Sequence, residues 1–300
     1  MTQTALILGP SGRIGRHAAE AFEAAGWTVH RFDWTRDDLM QAARKADVIV
    51  NAWNVPYSQW QSTVPGLTQQ VIAAAKAGGA TVIIPGNIYV FGPDMPPHIG
   101  PTTPHRSQHP LGRVRREMEA AYRDAGVATI ILRAGDYLDD EASGNWFDMV
   151  LAKPVAKGRL SYPGPTDRPH AWAWLPDVAA AMVGLAERRA DLPRFADIAF
   201  PGYTLTGEEL AAACAAALHR PVQAKRMSWL PIYLARPFWR EAKHILEMRY
   251  LWNVPHQLDG EELDRLVPDR PRTPVTSALA RALQHEIDPD QSVTRRAVAI

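Results

Sequence analysis

The chain has 300 residues, 46% of them hydrophobic, and its 33 basic and 32 acidic residues leave a formal charge of +1. That balance sets up no long-range field for nucleic acid or anionic lipid, so neither is expected as a partner. The single cysteine, Cys214, excludes an internal disulfide and a cysteine-based zinc site.

This length suits one large α/β domain, or a large domain with a small companion, burying roughly three-quarters of the unfolded surface. The start, MTQTALILGP, runs straight into a strand-like stretch with no leader pattern. The most membrane-like segment is WLPIYLARPFW, residues 229–239. Pro231, Arg236 and Pro237 interrupt it, and it is far shorter than the roughly 20 apolar residues of a spanning helix. A soluble, reduced, cytoplasmic protein is expected.

In chain order, ALILG (5–9) reads as a buried strand and GRHAAEAFEAAG (15–26) as an amphipathic helix closed by Gly26. TVHRFD (28–33) is a strand, DDLMQAARKA (37–46) a helix and DVIVNAW (47–53) a strand. GLTQQVIAAAKAGG (66–79) is a helix, ATVIIPG (80–86) a strand, GRVRREMEAAYRDAG (112–126) a helix and VATIILRAG (127–135) a strand. Strands alternating with helices predict parallel βαβ units. Their near-continuous Val, Ile and Leu runs suit strands covered on both faces. The fold class is therefore α/β, a Rossmann-like doubly wound parallel sheet. Only a short helical stretch separates Asp33 from Asp47, so the edge strand that a full dinucleotide fold places there should be missing or vestigial.

Beyond residue 136 the rhythm loosens. DDEASGNWFD (139–148) and LSYPGPTDRP (160–169) read as loops around a cleft. AWAWLPDVAAAMVGLAE (171–187) is a strand then a helix that Asp177 is placed to cap. ADIAFPG (196–202) is a last strand. From Tyr203 onward the pattern is mainly helical, giving a Rossmann domain over 1–202, with 136–170 contributing to the cleft, and a small C-terminal lobe over 203–300. RPFWREAKHILEMRYLW (236–252) reads as one amphipathic helix whose stripe of Phe238, Ala242, Ile245, Leu246 and Trp252 would be lobe core. DPDQSVTRRAVAI (288–300) reads as a mobile tail.

LILGPSGRIGR joins the first strand to the first helix. Gly9 provides a tight turn, Gly12 lets backbone approach a pyrophosphate, and Gly15 allows helix and strand to pack closely. The helix start offers free N–H groups and a positive dipole end to the phosphates. Asp33, about 20 residues on, is placed to bind both ribose hydroxyls, which favours NAD. Arg13, Arg31 and Arg36 argue for NADP, since an arginine there pairs with a 2′-phosphate. NAD is the favoured expectation, with NADP as the alternative.

With these residues in view the chain resembles the extended or atypical short-chain dehydrogenase/reductase superfamily, of the NAD-dependent epimerase/dehydratase type. GPSGRIG matches its glycine motif, and ADVIVNAW resembles the strand passing under the adenine and nicotinamide ribose. PGNIYVFGP resembles its Ser-Ser-x-x-Val-Tyr-Gly stretch, ILRAGDYLDD its Leu-Arg-x-x-x-Val-Tyr-Gly-Pro segment, and HAWAWLPDVAAAM its Arg-x-Phe-x-x-Val-x-Asp-Val-Ala segment. Candidate cofactor contacts are Gly9, Ser11, Gly12, Arg13, Ile14, Gly15, Asp33, Trp34, Ala52, Trp53, Asn54, Pro85 and Arg115.

The family's proton chemistry uses a Ser or Thr, a Tyr, and a Lys four residues after it. Following the motifs, Asn87 replaces the Ser, Leu111 the Tyr and Arg115 the Lys. Leu111 carries no proton. Asn87 still hydrogen-bonds a carbonyl, and Arg115 still binds ribose or phosphate without transferring a proton. Gly112, Arg115, Met118 and Glu119 keep the Gly-x-x-Arg-x-x-Met-Glu pattern of an atypical branch.

Other groups are candidates for the missing acid or base. Tyr89 lies two residues after Asn87. Asp136 and Tyr137 follow the ILRAG strand, whose carboxyl end should face the ligand crevice. His170 stands where the family often has a substrate-binding arginine, and an imidazole can donate or accept a proton. Trp53, Asn54, Tyr57 and Trp60 could wall a nicotinamide pocket, with Asn145 and Trp146 on the substrate side. Trp172 and Trp174 should share a strand face in the core. His244 and Glu247 are spaced like helical metal ligands, but no third ligand follows, so no metal is expected.

The expectation is an NAD(P)-dependent oxidoreductase or epimerase/dehydratase-like enzyme acting on a small polar carbonyl or hydroxyl compound. The rival is a non-catalytic dinucleotide-binding sensor. The resemblance also allows a homodimer through the helices over 67–77 and 111–124.

Overall fold

The computed structural model describes residues 2–287, so the segment read as a tail lies outside the described residues. The chain runs β1 (Thr4–Leu8), α1 (Arg13–Ala24), β2 (Thr28–Arg31), α2 (Leu39–Ala43), β3 (Val48–Asn51), α3 (Trp60–Gly78), β4 (Thr81–Gly86), β5 (His98–Ile99), α4 (Pro110–Asp124) and β6 (Thr129–Arg133). It continues through β7 (Asp136–Leu138), β8 (Arg159–Tyr162), β9 (His170–Trp174), α5 (Leu175–Glu187), β10 (Phe195–Ala199) and β11 (Tyr203–Leu205). The remainder is α6 (Gly207–Leu218), β12 (Gln223–Arg226), α7 (Leu230–Ala235), α8 (Arg240–Glu247), β13 (Gln257–Leu258), α9 (Glu261–Leu266), α10 (Val275–Ala282) and α11 (Gln284–Ile287).

Six parallel strands form the central sheet in the order β10-β6-β4-β3-β1-β2. α1 and α5 cover one face, where Phe22, Ile7, Val50 and Met182 are buried together. α2, α3 and α4 cover the other, around Leu6, Ile49, Val71 and Tyr122. Burial on both faces explains why these strands read as unbroken apolar runs. β2 is the sheet edge, and only the five-residue α2 lies between it and β3, so the expected loss of an edge strand is what the fold shows. β1 pairs with β2 on one side and β3 on the other. The strand order reverses there, and a crevice opens at the carboxyl ends.

Local readings depart from the structure in several places, among them the expected loop over 160–169, whose first three residues belong to β8. α3 begins at Trp60, six residues before the expected start, and carries Pro65 inside it, where the missing N–H forgoes one backbone hydrogen bond of the helix. Asp177 does not cap α5. Its carboxylate accepts from Thr273 N (2.7 Å) and Thr273 Oγ1 (2.7 Å), tying the helix start to a distant loop, and Trp174 occupies the N-cap position. The single helix expected over 236–252 starts only at Arg240, as α8, and passes into a 3-10 turn over Met248–Trp252, while residues 236–239 form the turn after α7. Pro237 cannot donate within a continuous helix. Phe238, expected in the lobe core, is 92% exposed.

β9 does not enter the central sheet. It pairs antiparallel with β11 and parallel with β7 in a separate three-stranded sheet. Trp172 and Trp174 on it are both buried, in a second core that also takes Phe147, Leu160, Leu210, Trp252 and Leu279. This core gathers residues from both sides of position 202.

Candidate active site

A cavity of about 480 Å³ lies at the crevice. The β1–α1 loop supplies its floor. Gly9 adopts φ +75°, and a Cβ there would stand 3.0 Å from Ala52 O. A Cβ on Gly15 would stand 2.0 Å from Gly9 O, so only glycine lets α1 start this close to the loop. Gly12 N–H donates to Gly9 O at 3.1 Å and closes the turn. The first turn of α1 then points its unpaired N–H groups at the cavity, the arrangement that binds anions.

Of the candidate residues, Ser11, Gly12, Arg13, Ile14, Ala52, Trp53, Asn54, Pro85, Asn87, Tyr89, Arg115 and Asp136 all line this one cavity. Tyr57, Trp60, Tyr137, Asn145 and Trp146 join them. Gly9 and Gly15 lie beneath, shaping the loop. Asp33, Trp34 and His170 are not on its surface. Arg16, Asn51, Glu141 and Leu251 line it without having been singled out. Arg16 follows the glycine loop directly and was findable. Leu251 arrives from the C-terminal segment, and no local signal marks it.

Asp33 carries the end of β2. Its Oδ1 accepts from Thr35 N (2.8 Å) and Thr35 Oγ1 (2.7 Å), which hold the carboxyl below its ordinary range, with the Arg36 charge 3.5 Å away adding to this. Arg31 is paired with Glu23 and turned from the site. Arg13 donates to Gly144 O at 2.9 Å across the cavity edge. Trp34, 56% exposed, stacks on Trp53 at 4.1 Å between ring centres.

Asn87 ends β4. Its Oδ1 accepts from Tyr89 N (3.1 Å), which leaves the amide NH2 as the free donor. That bond turns the chain so that Tyr89 meets Tyr57, hydroxyl to hydroxyl, at 2.7 Å. Burial pushes both phenols up, Tyr89 well above its ordinary value. Both therefore stay protonated near neutrality and act as O–H donors. Burial likewise raises Tyr137 to about 12.

Leu111 is buried in an apolar cluster with Trp60, Ile88 and Val90, and it does not line the cavity. Arg115, one turn along α4, does. It donates to Pro85 O at 2.6 Å and lies over the Trp60 ring. Burial lowers its pKa and the Glu119 charge opposes that shift.

Beneath Asn87 lies a buried ionic network. Arg133 donates to Asn87 O (2.5 Å), to Glu119 Oε2 (3.0 Å) and to Asp197 Oδ2 (2.6 Å). Burial opposes ionisation of Asp197, but the Arg133 charge and bonds from His105 and Arg133 hold its carboxyl at about 2. A second network pins the 139–145 loop to α1. Asp139 accepts from His17 (2.8 Å) and Arg16 (3.1 Å). Burial would raise this carboxyl, yet the bonds from His17 and Ser143 hold it at about 2. Each network groups a histidine with two carboxylates as metal sites do, but an arginine guanidinium already neutralises each. His244 and Glu247 lie 3.8 Å apart, and Glu247 accepts from Leu111 N (2.8 Å).

Asp136 faces the cavity from β7, with His170 behind it on β9. His170 Nε2 lies 2.7 Å from Asp136 Oδ2, and the imidazole is only 2% exposed. Its ring stacks on Trp252 at 4.3 Å and meets His256 edge-on at 4.5 Å. His170 thus does not reach the cavity surface and touches it only by way of Asp136.

The cavity residues fit a dinucleotide. Asn51 Oδ1, Trp53 Nε1 and Arg115 Nε are buried polar atoms without a protein partner, all on residues that line the cavity. Orphaned groups of this kind call for a ligand or water.

No family model matches the chain, and no curated protein matches its sequence. Its fold does match solved structures. UDP-glucuronic acid 4-epimerase from Bacillus cereus in complex with NAD is similar at TM-score 0.71 and 14% identity, covering 97% of this chain and 98% of that one. MoeE5 in complex with UDP-glucose and NAD is similar at 0.69 and 14%, over 99% of this chain and 100% of that one. The human epimerase family protein SDR39U1 (isoform 2) with NADPH is similar at 0.71 and 16%, over 94% and 99%. The chain thus shares, over nearly its whole length, the Rossmann-type fold of these structures, the fold that its sequence motifs resemble.

Proposed function

We propose that the crevice binds NAD or NADP and that the chain is an oxidoreductase or epimerase/dehydratase-type enzyme for a small polar carbonyl or hydroxyl compound. The observation that carries this reading is one cavity holding both the glycine loop and a set of proton-bearing side chains, Tyr57, Tyr89, Asn87 and Asp136. The cofactor-bound neighbours of the same fold support it.

Ser11, Gly12 and Arg13 would hold the phosphates, Asp33 the adenine-side ribose, and Arg115 the nicotinamide ribose that a lysine holds in the resembled family. A bound nicotinamide supplies hydride transfer at a substrate carbon. The chain's own groups then handle binding and protons. In the tyrosine pair one O–H donates to the other oxygen, so the acceptor tyrosine keeps its own proton for a substrate oxygen. The Asn87 NH2 donates to the same region. Asp136, oriented by His170, is the carboxylate able to accept a proton from a substrate hydroxyl. No leucine-to-tyrosine substitute is needed at position 111.

The buried Leu111 favours a second reading, a dinucleotide sensor without turnover. Titration with NAD, NADH, NADP and NADPH, followed by tryptophan fluorescence and calorimetry, tests both. Absence of binding by all four would overturn both. Binding with hydride exchange to a carbonyl panel supports the enzyme, and binding without exchange supports the sensor.

A further inference from the structure

α7, the turn after it and the start of α8 form a projecting corner that is apolar on both sides. Trp229 and Ile232 face inward to the second core together with Ile245 and Leu246 of α8, and Trp229 Nε1–H donates to Pro163 O at 2.7 Å. The opposite side carries Leu230 (61% exposed), Leu234 (67%) and Phe238 (92%), with Tyr233 and Trp239 beside them. Leu230 and Leu234 are one helical turn apart and share a face. The inward side alone explains the packing. Nothing in the fold explains large apolar side chains on the outer one.

Charge shows what covers that side. Lys225, Arg226, Arg236, Arg240 and Lys243 are all exposed in the same stretch. The only acidic residue from 221 to 243 is Glu241, and its carboxylate is turned inward to Ser58 N at 3.3 Å. The chain as a whole is nearly neutral, so this positive charge is local. A two-fold pairing of two copies through this corner would set the cation rim against itself. Leucine and phenylalanine tips in the same exposed stretch as five lysine and arginine side chains, with Trp239 among them, match the boundary between lipid headgroups and acyl chains.

We propose that this corner docks the protein on an anionic lipid surface. Leu230, Leu234 and Phe238 enter the acyl boundary while the five cations meet anionic headgroups. The attachment is peripheral, since α7 spans only about 9 Å and none of the described helices is long and apolar enough to cross a membrane. The expectation of no lipid partner rested on net charge, which averages over a localised patch. α8 joins the corner to the catalytic crevice, because its Glu241 and Glu247 accept from Ser58 N and Leu111 N beside the cavity residues Tyr57 and Arg115.

Flotation of the full chain with phosphatidylcholine vesicles, with and without phosphatidylglycerol, tests this. Binding is expected to require phosphatidylglycerol and to weaken as salt is raised. Leu234→Asp and Phe238→Asp should each lower partitioning on the order of tenfold, and Arg236→Glu with Arg240→Glu should do the same. These side chains are exposed, so circular dichroism and Tm should match the parent protein. No binding, equal binding to neutral vesicles, or binding that survives Phe238→Asp would overturn the proposal. So would a concentration-dependent dimer, or nucleic-acid binding, lost in Phe238→Asp while vesicles are ignored.

Discussion

Asp136 Oδ2 and His170 Nε2 lie 2.7 Å apart, the carboxylate on the cavity wall and the imidazole sealed behind it. Trp252 stacks on the histidine with ring planes only 5° apart, which fixes the direction of its N–H. In the proposed reaction Asp136 would meet the substrate and His170 would set its orientation. Asp136→Asn should lower turnover roughly 10²–10⁴-fold, the usual range for a lost general base, with little change in dinucleotide affinity. His170→Gln should cost less and shift the pH profile of kcat. Unchanged turnover in Asp136→Asn would remove the aspartate from the mechanism.

The glycine loop separates charge from sterics. A Cβ at Gly12 would stand 3.3 Å from Gly9 O, whereas one at Gly15 would stand 2.0 Å from that atom. Gly12→Asp should therefore lower Tm less than Gly15→Ala and lose dinucleotide affinity at least about tenfold, from a carboxylate beside the pyrophosphate. Gly15→Ala should lose about 1–3 kcal/mol of stability as well, because α1 must back away. Calorimetric titration beside thermal melts distinguishes them, and retained affinity in Gly12→Asp would rule out the phosphate site.

In the proposed dinucleotide site Asp33 and Arg36 would set cofactor choice. The carboxylate is held by Thr35 and faces Arg36 at 3.5 Å. Asp33→Ala removes the ribose acceptor and frees Arg36 for a 2′-phosphate. The NAD/NADP affinity ratio should move about tenfold toward NADP, or about 1.4 kcal/mol. A ratio that does not move would exclude Asp33 from the ribose.

Arg133 should bear heavily on stability. It neutralises Glu119 and Asp197 and bonds the Asn87 carbonyl, all in a buried setting. Arg133→Met leaves both carboxylates without their counter-charge and should cost about 3–5 kcal/mol in urea unfolding. A loss under about 1 kcal/mol would place the pair among surface-like ion pairs.

His256 makes stability depend on pH. Burial, with the nearby His170 charge, lowers its pKa to about 3. Below about pH 6.5 the unfolded chain takes up a proton that the folded protein refuses, so stability falls on acidification by up to about 1.4 kcal/mol per pH unit. His256→Phe should flatten the slope of unfolding free energy between about pH 6.5 and pH 5. Equal slopes would show that the histidine is protonated inside the fold.

The sequence by itself determined the layered sheet, the missing edge strand and the glycine loop. Each is written in short-range terms. Strand and helix periodicities repeat every few residues, and the Gly9–Gly15 loop closes within a single turn of chain. The resemblance carried by these motifs implies Leu111 and Arg115 at the places of the family's tyrosine and lysine. Only the tertiary structure decided which groups meet. Asp136 and His170 are 34 residues apart in sequence, Leu251 enters the cavity from the far end of the chain, and Asp177 reaches Thr273 instead of capping its helix. Phe238 shows the limit most plainly. Its spacing marks it as part of an apolar stripe, but periodicity reports that a residue has an apolar neighbour pattern, not what lies opposite. Pro237 breaks the helix, Trp229 and Ile232 take the inward places, and Phe238 is left in the open.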